Sequence, residues 1–295
     1  MRYRILGLLR RFGYDIQRYG AYRDPLRRLQ QAMDRHGVTT VLDVGANVGQ
    51  FAQRLRINGY KGRIISFEPL SDGHAKLTHV AQRDALWIVA PRYAVGATCT
   101  TVEINIAANS PSSSILSMLD RHLAGDPSSC YVGKEYVETI TLDAFFDGQP
   151  ELRTKNVALK IDTQGYEAQV LAGLDRWQQQ VKVIQVEMSL TPLYEKSAGF
   201  IDLYRLIESR GFRCISLEPN FIDRKTYEVL QTDAIFERED ACVQVGLNFL
   251  TGQFTTDSSR VPENAVSRGL VEGAGCSWTS MQPVSAEVQS DPTVR

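Results

Sequence analysis

The stretch "VLDVGANVGQF", Val41 to Phe51, runs an apolar strand-like segment into a glycine-rich turn. Gly45 permits a tight turn, and Gly49 lets a following helix approach closely. The first amides of that helix would face whatever ligand lies above the turn. Spacing decides which ligand that is. A dinucleotide site needs G-x-G-x-x-G to cradle a pyrophosphate. Here the string is "GANVGQ", with Asn47 and Gln50 at the second and third glycine positions. An S-adenosylmethionine loop has no phosphate to hold and must instead meet an ammonium group and a carboxylate. Asp43 at the strand end suits the first, and open amides at Gly45 and Asn47 suit the second. The loop therefore reads better as a methyl-donor loop than as a nicotinamide one.

The next run, "RIISFEP", ends in Glu68, placed to accept hydrogen bonds from both hydroxyls of a ribose, and Pro69 stops the strand. The competing reading, a pair of turn glycines and an ordinary surface glutamate, leaves the joint placement of both features at strand ends unexplained.

Outward from these two runs, short β-like segments alternate with helical ones from Asp24 to about Arg238. The further runs are "ALWIVAPRYAV", "NVALKID", "VKVIQVEM", "FRCISLE" and "TDAIFER", with helices predicted over 26–36, 47–58, 165–176 and 200–210. Nearly continuous apolar strands with helices between them predict an α/β fold, a mostly parallel sheet covered on both faces. The stretch 98–150 breaks the rhythm and reads as an insertion with short strands and a loop. Its polar segment Asn109 to Ser114 reads either as an acceptor-binding loop or as a solvated connector. Residues 1–23 form a basic segment whose apolar face suits either an anionic membrane surface or the protein's own core. Residues 24–240 make the main domain. Residues 241–295, rich in Ser, Thr, Gly and Pro, read as a tail without fixed structure.

The 295-residue chain has a formal net charge of −1, which provides no field for nucleic acid. Its five cysteines are scattered singly, against a disulfide framework and for a reducing compartment. No apolar run approaches the roughly 20 residues of a membrane span. The expected location is the cytoplasm, with residues 1–22 offering peripheral contact at the inner face of the membrane.

In open α/β sheets a ligand lies above the carboxyl ends of the strands where strand order reverses. "NVALKID" would lie beside the first strand there, so Asp162 would sit next to the reacting group as general base, positioning group or metal ligand. Glu187, ending "VKVIQVE", adds a second carboxylate on the same rim, able to share a metal or shift its neighbour's proton affinity. Glu167 reads as a charge complementing a helix N-terminus. The four histidines have no metal-binding spacing, and only His122, inside the insertion, is a candidate for a place near substrate. No G-x-S-x-G elbow is present.

The order and spacing of "VLDVGANVGQF", "ISFEP", "YAVG", "ANSPSSSIL", "VETITLDAFF", "LKIDTQGYEAQVLAGL" and "QVEMS" resemble the FkbM-type S-adenosylmethionine-dependent methyltransferases over roughly Thr39 to Arg238. The resemblance implies a class I, Rossmann-like methyltransferase fold, a doubly wound seven-stranded sheet with its last strand antiparallel. It implies methyl transfer to a hydroxyl of a sugar, glycolipid or polyketide-type natural product. By position, Asp43, Gly45, Asn47, Gly49 and Glu68 would hold the cofactor, and Ala94 and Val95 would lie near its adenine. Asp162 and Glu187 would be catalytic, with Asn109, Ser113 and Ser114 meeting the acceptor. One departure stands out: Gln164 occupies a position where the family often has Glu, which removes a charge and weakens the case for a divalent metal. The rival readings are a nicotinamide-dependent oxidoreductase, which lacks its glycine pattern and a Tyr-x-x-x-Lys pair, and a catalytically silent nucleotide-binding module.

Overall fold

A computed structural model describes residues 24–239 and, before them, Arg11, which is helical and exposed. The chain divides into two units, Met1–Val243 and Gln244–Arg295. The second unit, the sequence-predicted tail 241–295 and the basic segment 1–23 apart from Arg11 lie outside the described residues.

Helix α1 (Pro25–Arg35) begins where Asp24 accepts a hydrogen bond from the Leu26 amide at 2.9 Å and Pro25 supplies a preset φ. Leu26, Leu29, Ala32 and Met33 recur on one face and are buried. Strand β1 (Thr40–Val44) follows, buried at every residue, then α2 (Gln50–Ile57), β2 (Arg63–Phe67), α3 (Ser71–Ala81) and β3 (Trp87–Val89). After the insertion come β7 (Val157–Ile161), α6 (Glu167–Ala172), β8 (Val181–Ser189), α7 (Phe200–Ser209), β9 (Phe212–Ile222) and β10 (Val229–Arg238).

These strands form one seven-stranded sheet in the order β3-β2-β1-β7-β8-β10-β9. The pairs β3/β2, β2/β1, β1/β7 and β7/β8 are parallel; β10, the last of the described strands, runs antiparallel to both β8 and β9. This is the doubly wound class I arrangement expected from the sequence. Apolar layers cover both faces, one around Leu159, Ile184 and Phe146, the other around Met33, Leu55 and Ile64.

One boundary differs from the sequence reading. "ALWIVAPRYAV" is not a single strand: it breaks around Pro91, which cannot donate to a ladder. Trp87–Val89 stays in the main sheet, whereas β4 (Tyr93–Val95) joins a second sheet of order β4-β6-β5 with β5 (Thr101–Ala107) and β6 (Tyr131–Ile140). Between β5 and β6 lie a serine-rich strap over residues 108–118 and the short helix α4 (Asp120–Gly125). Helix α5 (Leu142–Asp147) explains "TLDAFF": Thr141 accepts from the Ala144 amide at 3.0 Å, Asp143 accepts from the amides of Asp175, Arg176 and Trp177, and Phe146 is fully buried. The motif is framework. No helix among the described residues is long and apolar enough to cross a membrane.

Candidate functional site

Strand order reverses between β1 and β7, and their register is level. Val44 pairs with Phe67 on one side and Ile161 on the other, and Ile161 with Val186. The next residue on each strand is therefore Gly45, Glu68, Asp162 and Glu187, one row along the carboxyl rim. Sequence spacing alone could not reveal that alignment.

Gly45 has φ +75°, and a Cβ there would fall 1.8 Å from the Asp162 carbonyl oxygen. Only glycine lets the two strand ends touch. The amides of Gly45 and Ala46 both donate to the Phe67 carbonyl, at 3.1 and 2.9 Å, binding the loop to β2. The Glu68 carboxylate receives the Asn47 amide at 2.8 Å and the Leu70 amide at 2.9 Å. Burial nevertheless pushes its pKa up to about 7, against the pull of these two donors and of Lys160. Gly49, at φ +87°, lies behind the loop: a Cβ would press on the Trp87 ring at 2.7 Å, so its role is packing of α2.

Asp43 is fully buried beneath the cavity rather than on its wall. Its Oδ2 accepts from Ser66 Oγ at 3.2 Å, and its Oδ1 lies 3.3 Å from Lys160 Nζ. Burial raises the Asp43 pKa, opposed by the Lys160 charge. Lys160 donates to the Gly45 carbonyl at 2.9 Å and stands 3.5 Å from Asp162 Oδ2. Burial disfavours its charge, but the Asp162 and Asp43 carboxylates prevail and hold its pKa above the ordinary lysine value. Sequence reasoning overlooked Lys160. The available signal was a lone cation inside the apolar run "NVALKID", a strand buried at every residue.

At the next turn, Gln164 has a left-handed backbone (φ +54°) and a nearly buried side chain. Its Nε2 donates to Asp162 Oδ1 at 2.8 Å and to Glu187 Oε2 at 2.7 Å, and its Oε1 accepts from Tyr194 Oη at 2.8 Å. Glu187 also accepts from Asn220 and Gln231 and stays behind the cavity wall. Burial pushes its carboxyl well above the usual range, and the charges of Asp162, Glu167 and Asp233 add to this, against the Asn220 amide. Glu167 closes the same turn, its Oε1 accepting from the Thr163 and Gly165 amides at 3.0 and 3.1 Å. Burial raises its pKa to about 7.

The strap crosses this rim. Ser110 Oγ lies 3.5 Å from Asn47 Oδ1, Ser113 Oγ accepts from the Ala107 amide, and Ser114 Oγ donates to the Gln164 carbonyl at 2.7 Å. Asn109 faces inward, its Nδ2 within 3.1 Å of Ser112, Asp126 and Ser129, and holds the strap's own shape. His122 is buried behind the strap between the Tyr194 and Phe221 rings, with Nε2 3.3 Å from Ser112 Oγ. Burial lowers its pKa, and it does not reach the cavity.

A cleft with about 720 Å³ of free space, its open mouth included, results. Eight of the twelve residues singled out from the sequence line it: Gly45, Asn47 and Glu68 on the loop side, Ala94 and Val95 on the apolar side, and Ser113, Ser114 and Asp162 opposite. Asp43, Gly49, Asn109 and Glu187 do not. Tyr166 and Tyr93 complete the walls unforeseen. Among the described residues the lining holds two carboxylates and no lysine or arginine. The residues fit an S-adenosylmethionine molecule: a carboxylate beside an apolar slot for ribose and adenine, and an anionic surface for a sulfonium. Among the described residues no group of three or more His, Cys, Asp or Glu side chains is arranged to hold a metal. Between Asp162 and Glu187, where a shared metal was conceivable, the structure puts an amide donor.

No curated protein matches the chain. Among solved structures, a methyltransferase FkbM from Methylobacillus flagellatus is 17% identical with a TM-score of 0.42, over 68% of this chain and 43% of that one. This chain thus spans less than half of that protein's length. Magnesium protoporphyrin IX methyltransferase from Synechocystis, solved with bound SAM, is 12% identical with a TM-score of 0.37, over 78% and 89%. TehB from Haemophilus influenzae is 10% identical with a TM-score of 0.39, over 72% and 62%. The model of the methyltransferase FkbM domain matches residues 43–214, from the strand-end acid beneath the cleft to the start of β9, and the chain belongs to that methyltransferase family.

Proposed function

We propose that the protein is an S-adenosylmethionine-dependent O-methyltransferase acting on a hydroxyl of an uncharged, sugar-like acceptor. The observation that carries this reading is the cation-free cleft. A phosphate-bearing ligand would meet Glu68 and Asp162 and, among the described lining residues, no lysine or arginine; Lys160 lies beneath, engaged by Asp43 and Asp162. A sulfonium donor and a neutral polyhydroxyl acceptor suit those walls, which also argue against the nicotinamide reading.

S-Adenosylmethionine, when bound, would supply a methyl group activated by the positive charge on its sulfur. Glu68 offers its remaining lone pairs to ribose hydroxyls, while Ala94, Val95 and Leu70 flank a flat ring. Asp162, at the rim and part exposed, takes the proton released by the acceptor hydroxyl. Lys160 fixes one of its oxygens and Gln164 the other, leaving the carboxylate in one orientation. Alignment of acceptor and donor then accounts for much of the rate. The serines of the strap supply hydroxyls suited to sugar hydroxyls.

S-Adenosylhomocysteine should raise the melting temperature, by mass action, where NADH does not. In a methyl-transfer screen over sugars and glycolipids, Asp162→Asn should keep S-adenosylhomocysteine affinity within a few-fold and lose transfer by roughly 10²–10⁴-fold. Equal loss of binding and transfer would remove Asp162 from the role of base. Failure of the folded wild type to bind S-adenosylhomocysteine would overturn the function itself.

A further inference from the structure

Asp162 and Glu187 occupy adjacent strand ends, and both approach the same nitrogen of Gln164, at 2.8 and 2.7 Å. Two carboxylates so placed ordinarily share a proton or a cation, because nothing else removes their repulsion. Here both N–H groups of one amide lie between them, one directed at each carboxylate. The opposite end of the amide lies 2.8 Å from the Tyr194 hydroxyl, so both ends of the side chain are held. The backbone is equally constrained: Gln164 and Gly165 have successive positive φ values, +54° and +98°, and the Gln164 carbonyl accepts from Ser114.

Resting on the methyltransferase reading, we propose that Gln164 is a positioning residue for Asp162, its amide taking the place that a bridging cation or shared proton would occupy between Asp162 and Glu187. Through Tyr194 and Ser114 the same residue ties the pair to the strap over the cleft. The other charged or titratable groups facing the pair are Lys160 and Asp43 from below, Glu167 from α6 and Asp233 from β10. Lys160 reaches Asp162 and not Glu187 among the ion pairs of the rim, so it does not substitute for the amide.

The consequence is specific. Gln164→Glu would put three carboxylates within hydrogen-bond distance and restore the need for a cation or proton. Full-length wild type, Gln164→Glu and Gln164→Met are titrated with calcium chloride by calorimetry at pH 8, and their Tm is followed from pH 5 to 9. The wild type should give no heat of calcium binding at this rim. Gln164→Glu should bind calcium, and its Tm should fall as pH rises, by roughly 3 °C or more beyond any fall in the wild type. If that variant folds only with calcium or acid, the dependence is itself the expected result.

Gln164→Met keeps side-chain length but removes the donor shared by the two acids, leaving Glu187 with Asn220 and Gln231 and Asp162 with Lys160. Its Tm should also fall more steeply with pH than the wild type's, which simple loss of packing would not produce. The proposal is overturned if either folded variant follows the wild-type pH curve, or if the wild type binds calcium and loses it on Asp162→Asn. S-Adenosylhomocysteine titration of the same wild-type sample separates the two readings: failure there removes the methyltransferase function and leaves the bridging result standing.

Discussion

Asp43 and Lys160 show what one buried pair does beneath a ligand site. Neither side chain lines the cleft, yet Lys160 joins the carbonyl of the glycine loop to carboxylates on two strands. Lys160→Met would leave Asp43 buried with only Ser66 to meet it, at a cost of about 3–5 kcal/mol. Urea unfolding should show the loss, and adding Asp43→Asn should recover most of it. If Lys160→Met alone unfolds with the wild-type midpoint, the pair is not what fixes the rim. Gly45→Ala addresses the same contact from above. Its methyl group would overlap the Asp162 carbonyl, and the forced shift of about 1 Å at the reacting centre should reduce transfer roughly 100-fold. At this scale the sequence revealed positions better than roles. Asp43 and Glu68 were recognisable as acids closing apolar strands, but only the folded register shows that Glu68 lines the cleft and Asp43 faces a lysine. Tyr194 left no local signal, because it arrives from a loop 30 residues beyond Gln164.

The elements divide into those legible from pattern and those set by tertiary pairing. Strands β1, β2, β7 and β8 were evident as apolar runs, and their parallel order followed from the alternation with helices. The second sheet was not. Tyr93–Val95 looks like a continuation of Trp87–Val89, and only pairing with β6, Tyr93 opposite Glu138, draws it away. The strap was visible as a serine-rich break, yet not the division of labour within it. Asn109 braces the strap internally while Ser113 and Ser114 reach the cleft. Two element-level outcomes follow. Thr141→Ala, which removes the cap of α5, should cost about 1 kcal/mol and lower Tm by roughly 2–4 °C. Ser114→Ala should leave Tm nearly unchanged while speeding hydrogen exchange at the paired amides of Asn105 and Ser114, which hold the strap to β5. Unaltered exchange would mean that the Ser114–Gln164 bond does not hold the strap down.

For the molecule as a whole, the site is a concentration of acid that folding must tolerate. Glu68 and Glu167 both have folded-state pKa values raised to about 7 by burial, against an ordinary value of 4.5. At these two sites the folded protein therefore holds more protons than the unfolded chain between those pH values, and their contribution to stability falls as pH rises from about 4.5 to 7. Tm measured across this window should decline, and Glu68→Gln together with Glu167→Gln should flatten the curve. A wild-type Tm that climbs over the same interval would show that both carboxyls are ionised throughout.

The ends of the excursion that carries the strap are themselves hydrogen-bonded neighbours. Ala107 pairs with Tyr131, and the Ala108 amide donates to the Cys130 carbonyl at 2.9 Å. Everything between enters and leaves through one gate, so its length contributes little to the entropy of closing the loop. The excursion is tied to the rest of the chain at Asn105 on β5, at Gln164, along residues 193–195, where Leu119 and Glu195 donate to Leu193 and Ser117, and at Asp223 and Glu228, which pair with Arg121. The seven-stranded sheet lies outside that gate, while Ser110, Ser113 and Ser114 inside it line the cleft with Glu68 and Asp162. A replacement for residues 108–130, spliced between Ala107 and Tyr131, should therefore fold on an unchanged seven-stranded sheet if it keeps the bonds to Asn105, Gln164 and Asp223, and the Tm of such a graft checks this.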